Sequence, residues 1–236
     1  MAVQDQSKSI QKPSPTPSLL SRTLILDADI SRRLHLFFHP FIPSFLHLIL
    51  ELSADFRLFF PLALATAFSP FCSPFLSLLS PLILGLIMDL LLVALAKFLF
   101  RRNRPPYNPS MSPAVELDQY SFPSGHSTRV FLVASLVFLS FSSDEYLARV
   151  FTTLCFFWAS ATAFSRVLLG RHYSLDVVVG SILGIIEGFV AFRFLNFEEH
   201  LVKVSYTANY RSFHHKDSIF LCRLFHLLGS FSHFLK

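Results

Sequence analysis

Long apolar stretches separated by short polar turns run through the middle of this chain. They cover residues 34–52, 58–71, 75–96, 127–141, 147–164 and 175–194. The third is long enough by itself to cross a bilayer, which takes about 20 apolar residues. Pro40 and Pro43 interrupt the first stretch, and Pro61 and Pro70 the second. A proline within a helix removes a hydrogen bond and crowds the preceding turn. Glu51, Asp55 and Arg57 mark a polar turn after the first stretch, and Ser142, Ser143, Asp144 and Glu145 another after the fourth. The pattern predicts an all-α, polytopic membrane bundle of about six transmembrane helices over residues 34–196. A polar N-terminal tail, 1–33, precedes it, with a short surface helix over 24–33. A C-terminal tail, 197–236, follows, of which 219–228 is apolar enough to lie on a membrane surface but too short to span it.

Two features break the monotony of the bundle. Residues 97–125 form a long polar segment in which Pro105, Pro106, Pro109, Pro113 and Pro123 forbid a continuous helix. A loop of this length inside a compact domain is usually functional. In the last apolar stretch, Gly180, Gly184 and Gly188 recur every four residues, the small-residue spacing that lets membrane helices pack closely.

Composition sharpens the class. Hydrophobic residues make up 53% of the 236 residues, Phe occurs 29 times, and the net charge is +5. The mean hydropathy is +0.53. A soluble core does not need so many phenylalanines, whereas lipid-facing helices accommodate them. No basic run or basic stripe with interleaved aromatics is present, which argues against a nucleic-acid partner. Cys72, Cys155 and Cys222 stand apart in apolar surroundings and form neither a CxxC pair nor a disulfide framework. Residues 1–21 are polar and lack the apolar segment of a signal peptide. Frequent serines leave a transit peptide as an alternative, which Asp5, Asp27 and Asp29 weaken.

Three polar clusters carry the candidate chemistry. The first is Lys97 followed, after six residues, by Arg104-Pro105. An ammonium and a planar guanidinium both suit phosphate oxygens. The second is Pro123-Ser124-Gly125-His126, just before an apolar helix. Ser124 can cap that helix, Gly125 lets backbone approach a ligand, and the free N–H groups of a helix start attract anions. His126 stands beside them, able to donate a proton. The third is Ser165-Arg166, then His172, then Asp176. The i,i+4 spacing of His172 and Asp176 is expected to place both on one helical face. There Asp176 would accept from one imidazole nitrogen and leave the other free to attack. Two histidines and an aspartate could also hold a metal. Lys97, Arg104 and Arg166 would crowd positive charge around the same point, which favours an anion over a divalent cation.

The combined pattern KxxxxxxRP, PSGH, SRxxxxxHxxxD over residues 97–176 resembles the three-part signature of the type 2 phosphatidic acid phosphatase superfamily, also called the lipid phosphate phosphatases, with every fixed position filled. The run KFLFRRNRPPYN at 97–108 is similar to the branch that includes presqualene and polyisoprenoid diphosphate phosphatases. The resemblance implies a PAP2/haloperoxidase-like helical core. It also implies hydrolysis of lipid phosphates or diphosphates, such as phosphatidate, lysophosphatidate or isoprenoid diphosphates. His172 would form a phosphohistidine, oriented by Asp176. His126 would protonate the leaving oxygen, and water would release phosphate. Lys97, Arg104, Ser124, Gly125 and Arg166 would hold the phosphoryl oxygens. No metal or other cofactor is expected, and family relatives bind vanadate as a phosphate mimic. Arg101, Arg102 and Arg171 lie outside the signature; headgroup contact or contact to a second phosphate are the readings open to them. Transfer of the phosphoryl group to an alcohol, or phospholipid binding or transport without catalysis, are the alternative functions.

Expected partners are the lipid substrate and the surrounding membrane lipids. The cations of the two tails place them in the cytosol by the positive-inside tendency. An even span count then puts all three clusters on the lumenal or extracellular face. The endoplasmic reticulum is the first expectation for the compartment and a plastid membrane the alternative.

Overall fold

The computed structural model describes residues 18–67, 76–107, 119–141 and 146–196. Cys72, Cys222, the turn 142–145, most of the loop at 108–118 and the C-terminal tail lie outside the described residues. Among the described residues seven α-helices follow one another: α1 Leu19–Phe38, α2 Ser44–Leu52, α3 Phe56–Ala67, α4 Leu76–Phe100, α5 Gly125–Ser140, α6 Tyr146–Leu168 and α7 Ser174–Phe194. A short 3-10 turn, His39–Phe41, separates α1 from α2.

α4 and α6 end where α5 and α7 begin, so chemistry separated along the sequence meets at one end. Lys97 sits in the last turn of α4, His126 in the first turn of α5, Arg166 in the last turn of α6 and Asp176 in the first turn of α7. Arg101, with φ of 46°, turns the chain out of α4 into the polar loop. Ser124 caps α5, its Oγ accepting from the Ser127 N–H at 3.4 Å.

α5 and α7 form the central pair, and the glycine ladder explains their closeness. A Cβ on Gly184 would stand 2.1 Å from the Thr128 carbonyl oxygen, and one on Gly180 would stand 2.8 Å from that of Ser124. One on Gly188 would meet the Ser135 Cβ at 2.7 Å. The small-residue packing expected of these glycines is what the two backbones require. The core is thin and made of small and branched residues: Ala54, Val130, Ala134 and Ala159 in one cluster, Ala163, Val167 and Val177 in another. Large side chains point outward instead; Leu91, Phe157 and Phe189 are 64%, 72% and 56% exposed. That inversion suits a lipid surround, where association rests on close backbone packing rather than on apolar burial. Arg129 and Asp89 form an ion pair deep within the bundle. Arg129 Nη2 donates to Asp89 Oδ2 at 2.9 Å and its Nη1 to the Ala54 carbonyl at 3.0 Å, tying α4, α5 and the α2–α3 break together.

Two expectations change. The six-span count is not confirmed: among the described residues three helices are long and apolar enough to cross a membrane, or up to four if the bent α1–α2 pair makes one crossing. Pro40 and Pro43 fall at the break between α1 and α2, which meet at 117°, whereas Pro61 is carried inside α3. The expected boundary between tail and bundle at 33/34 falls inside α1, which runs as one helix of 20 residues from Leu19 and packs on α6 and α7. The charges that suggested a solvated tail are partly consumed inside the fold, with Asp27 only 5% exposed.

Candidate active site

His172 lies in the turn between α6 and α7, and the geometry of that turn follows from one glycine. α6 ends at Leu168, and Gly170 takes the left-handed conformation with φ of 65°. The Gly170 N–H then returns to the Val167 carbonyl at 2.9 Å and the Arg171 N–H to the Arg166 carbonyl at 3.1 Å. This is the paired-bond ending that a glycine after a helix permits. The His172 N–H also reaches the Arg166 carbonyl, at 3.3 Å, so the two signature residues are joined through backbone.

The imidazole of His172 is 3% exposed. Its Nδ1 is 2.7 Å from the Ser121 carbonyl oxygen, and its Nε2 is 3.3 Å from Arg104 Nη1. A carbonyl only accepts and a guanidinium only donates, so these partners assign the proton to Nδ1 and leave a lone pair on Nε2. Burial first, then the positive charges of Arg104 and Lys97, hold the His172 pKa well below its ordinary 6.5. The ring is therefore neutral, with its Nε2 lone pair directed at Arg104.

Asp176 does not orient His172 by a hydrogen bond. Its Oδ2 is 3.9 Å from Nδ1 and accepts instead from the Tyr173 N–H at 2.9 Å, while Oδ1 accepts from Arg102 Nη1 at 2.6 Å. The i,i+4 argument fails because α7 starts at Ser174, leaving His172 outside the helix. The orienting group is the Ser121 carbonyl, a backbone atom that no side-chain pattern discloses. Ser121 is held in turn by Arg102, whose carbonyl accepts from the Ser121 N–H at 2.7 Å. Arg102, outside the signature, thus sits inside the site rather than at lipid headgroups. Arg101 remains at the surface, its Nε on the Phe98 carbonyl.

Arg104, 3.3 Å from Nε2, and Lys97 place positive charge on the ring. Lys97 is 8% exposed. Arg104 Nη1 also donates to the Arg171 carbonyl at 2.9 Å, which anchors the guanidinium beside the histidine. Arg166 is fully buried, and Ser165 Oγ receives its Nε and Nη2 at 3.2 and 3.0 Å. Its Nη1 has no hydrogen-bond partner; the nearest carboxylate oxygen, Glu51 Oε2, is 3.9 Å away. A buried, unpaired guanidinium N–H is costly unless something occupies it. Glu51 on α2 also pairs with Arg171. His126 Nε2 is likewise buried without a partner. Ser124 is committed to packing: its hydroxyl caps α5, and its N–H donates to the Asp176 carbonyl at 3.1 Å. Gly125 opens α5, where first-turn N–H groups have no partner within the helix. Beside the site lies an open cleft of about 640 Å3, lined in part by His39, Pro43, His47, Glu51 and Arg171.

A neutral imidazole lone pair beside Arg104 and Lys97, at one end of a lipid-facing helical bundle, defines a membrane protein with a positively charged site suited to an anion. The sequence comparisons agree with that class: residues 78–199, just over half of the chain, match the PAP2 superfamily, and the chain belongs to it. It is 44% identical over 131 residues to the "Probable lipid phosphate phosphatase beta" of Arabidopsis thaliana, an overlap of 46% of this chain and 62% of that protein. It is 29% identical over 99 residues to "Dolichyldiphosphatase 1" of Dictyostelium discoideum, covering 39% of this chain and 43% of the relative. It is 35% identical over 77 residues to "Bacitracin transport permease protein BcrC" of Bacillus licheniformis, covering 33% and 34%. The chain thus spans less than two thirds of the length of these relatives. Two solved structures share the fold. Aquifex aeolicus LpxE has a TM-score of 0.53 at 24% identity, covering 72% of this chain and 96% of that one. The transmembrane PAP2 type phosphatidylglycerolphosphate phosphatase from Bacillus subtilis has a TM-score of 0.60 at 22% identity, covering 73% and 86%.

Proposed function

We propose that this protein is an integral membrane lipid phosphate phosphatase that works through a phosphohistidine on His172 and needs no metal. The observation that carries the reading is the neutral His172, with Nδ1–H given to the Ser121 carbonyl and the Nε2 lone pair facing Arg104. The printed names of the relatives support the substrate class, a phosphate monoester or diphosphate of a lipid.

In the proposed reaction the phosphoryl oxygens lie against Lys97, Arg104, the unpaired Nη1 of Arg166 and the first-turn N–H groups of α5. Nε2 attacks phosphorus as the bond to the lipid oxygen breaks, and His126, kept neutral by burial and nearby arginines until the anionic group binds and the ring takes up a proton from water, gives that oxygen its proton. The ring becomes positive on phosphorylation, and the Ser121 carbonyl accepts the Nδ1–H of the charged form. The Asp176 carboxylate at 3.9 Å adds a favourable field without bonding. Water, giving its proton to His126, then attacks phosphorus, releases inorganic phosphate and restores the neutral ring. Positioning and charge stabilisation supply the rate enhancement. The open cleft beside Glu51 and Arg171 offers room for the headgroup. The site faces the lumen of the endoplasmic reticulum in this reading, or a plastid compartment. A glycosylation-site map that puts the 119–124 segment in the cytosol would contradict the lumenal placement.

The test of activity is phosphate release by purified protein in detergent micelles from phosphatidate and from farnesyl diphosphate, with EDTA present. Release that persists in EDTA supports the reading, and the preferred lipid identifies the substrate. Release that EDTA abolishes, or none from either lipid, overturns it. The transport reading draws on the printed name of one relative, but a nucleophile-ready imidazole is superfluous to it.

A further inference from the structure

The helix α1 precedes the matched family segment at 78–199, yet three of its side chains on one stripe grip the turn that carries His172. Asp27 Oδ1 accepts from the Leu175 N–H at 2.9 Å. Ser31 Oγ donates to the Asp27 carbonyl at 2.6 Å and accepts from the Ser174 N–H at 2.8 Å. One turn on, His35 Nδ1 donates to the Leu168 carbonyl at 2.6 Å. The last carbonyl of α6 and the first two N–H groups of α7 are groups that their own helices leave unsatisfied. α1 satisfies them from outside, on both sides of His172.

The second arm of the contact runs through Arg102. Its Nη2 donates to Asp27 Oδ2 at 2.7 Å and its Nη1 to Asp176 Oδ1 at 2.6 Å, while the guanidinium lies over the Tyr173 ring at 4.1 Å. The same residue's carbonyl holds Ser121, and the Ser121 carbonyl holds the His172 ring. A continuous path of hydrogen bonds therefore joins Asp27 to the nucleophile: Asp27, Arg102, Ser121, His172. Asp27 and Ser31 are 5% and 0% exposed, so solvent does not compete for these bonds.

We infer that α1 is a clamp on the nucleophile turn, with Asp27, Ser31 and Arg102 as positioning residues for His172. None of the three touches the phosphoryl group; they hold the ring at the angle from which Nε2 meets phosphorus. The consequence for turnover rests on the phosphatase reading above, whereas the clamp itself does not. Displacing a reacting atom by about 1 Å costs on the order of 100-fold in rate, while the cations that bind phosphate stay in place. Loss of the clamp should therefore lower kcat and spare KM.

Asp27→Asn and Ser31→Ala test this. An asparagine at 27 turns an amide donor toward Arg102, and an alanine at 31 leaves the Ser174 N–H unpaired. Phosphate release from phosphatidate should show kcat down by about 10- to 100-fold, with KM and the inhibition constant of inorganic phosphate within about threefold. Asp27→Glu, which keeps the carboxylate, should recover part of kcat. Amide exchange over residues 168–177, followed by mass spectrometry, should accelerate in both disruptive variants with the melting temperature nearly unchanged. Unchanged kcat and unchanged exchange overturn the clamp. Equal losses in kcat and in phosphate binding with a large fall in melting temperature overturn it too, by showing only a structural role. Should the wild type release no phosphate, the phosphatase reading falls alone: faster exchange in the variants still supports the clamp, and unchanged exchange still removes it.

Discussion

Arg166→Lys isolates what a planar guanidinium contributes that a charge alone does not. Arg166 is 0% exposed, its Nε and Nη2 are fixed on Ser165 Oγ at 3.2 and 3.0 Å, and its Nη1 is buried with no hydrogen-bond partner. In the proposed complex Nη1 meets a phosphoryl oxygen, a charge-assisted bond worth about 1.5–3 kcal/mol. Lysine retains the charge but has no fork to rest on Ser165 and no reason to present an N–H at the Nη1 position. Taking about 3 kcal/mol as the loss, at about 1.36 kcal/mol per decade, kcat/KM should fall about 100-fold. Ser165→Ala, which removes only the rest, should cost about 1 kcal/mol, or roughly fivefold. The assay is initial-rate phosphate release in mixed micelles over a range of lipid surface concentration, with a melting curve for each variant. An Arg166→Lys enzyme within threefold of wild type would refute the assignment of Nη1 to the phosphoryl group.

Other outcomes follow from the same structure. The His172 pKa lies well below 6.5 in the folded chain, so the acid limb of the kcat/KM profile should fall below pH 6.5, and a limb at or above that value would contradict a neutral buried ring. By linkage, the unfolded chain takes up a proton near pH 6.5 that the native one refuses, so stability should be present above that pH and decline as pH falls below it; His172→Ala should show a shallower decline in melts from pH 7 to 5. Gly184→Ala places a Cβ 2.1 Å from the Thr128 carbonyl and should cost about 3 kcal/mol or more by forcing α5 and α7 apart, whereas Gly85→Ala, nearest Ala191 Cβ at 3.2 Å, should cost less; equal melting temperatures would argue against the close packing. Arg129→Ala leaves Asp89, 0% exposed, without its counter-charge and should cost about 3–5 kcal/mol, read as loss of folded protein in detergent.

The gathering of the three clusters at one end of the bundle was legible from the sequence because each stands where an apolar stretch begins or ends. The glycine ladder was legible for a similar reason: a spacing of four residues puts Gly180, Gly184 and Gly188 on one helical face, and only backbone approaching that face explains all three. What stayed hidden depended on groups with no side-chain signature. The Ser121 carbonyl takes the orienting role that spacing assigned to Asp176, since Gly170 ends α6 and leaves His172 in a turn. The signal that could have shown this was the glycine two residues after the last apolar position of α6, a common helix ending. The pairing of Asp27 with Arg102 stayed hidden because charge in a sequence says nothing of its partner 75 residues away. Arg102, bridging Asp27 and Asp176, brings the N-terminal helix to the site.

The proposed reaction turns on covalent phosphorylation of His172 Nε2. The direct measurement is rapid acid-free quenching of purified protein mixed with lipid carrying labelled phosphate, followed by mapping of the labelled peptide. The label should survive alkali but not acid, lie on the peptide containing His172, form in EDTA, and be absent from His172→Ala. Label or phosphate release that persists in His172→Ala would contradict it.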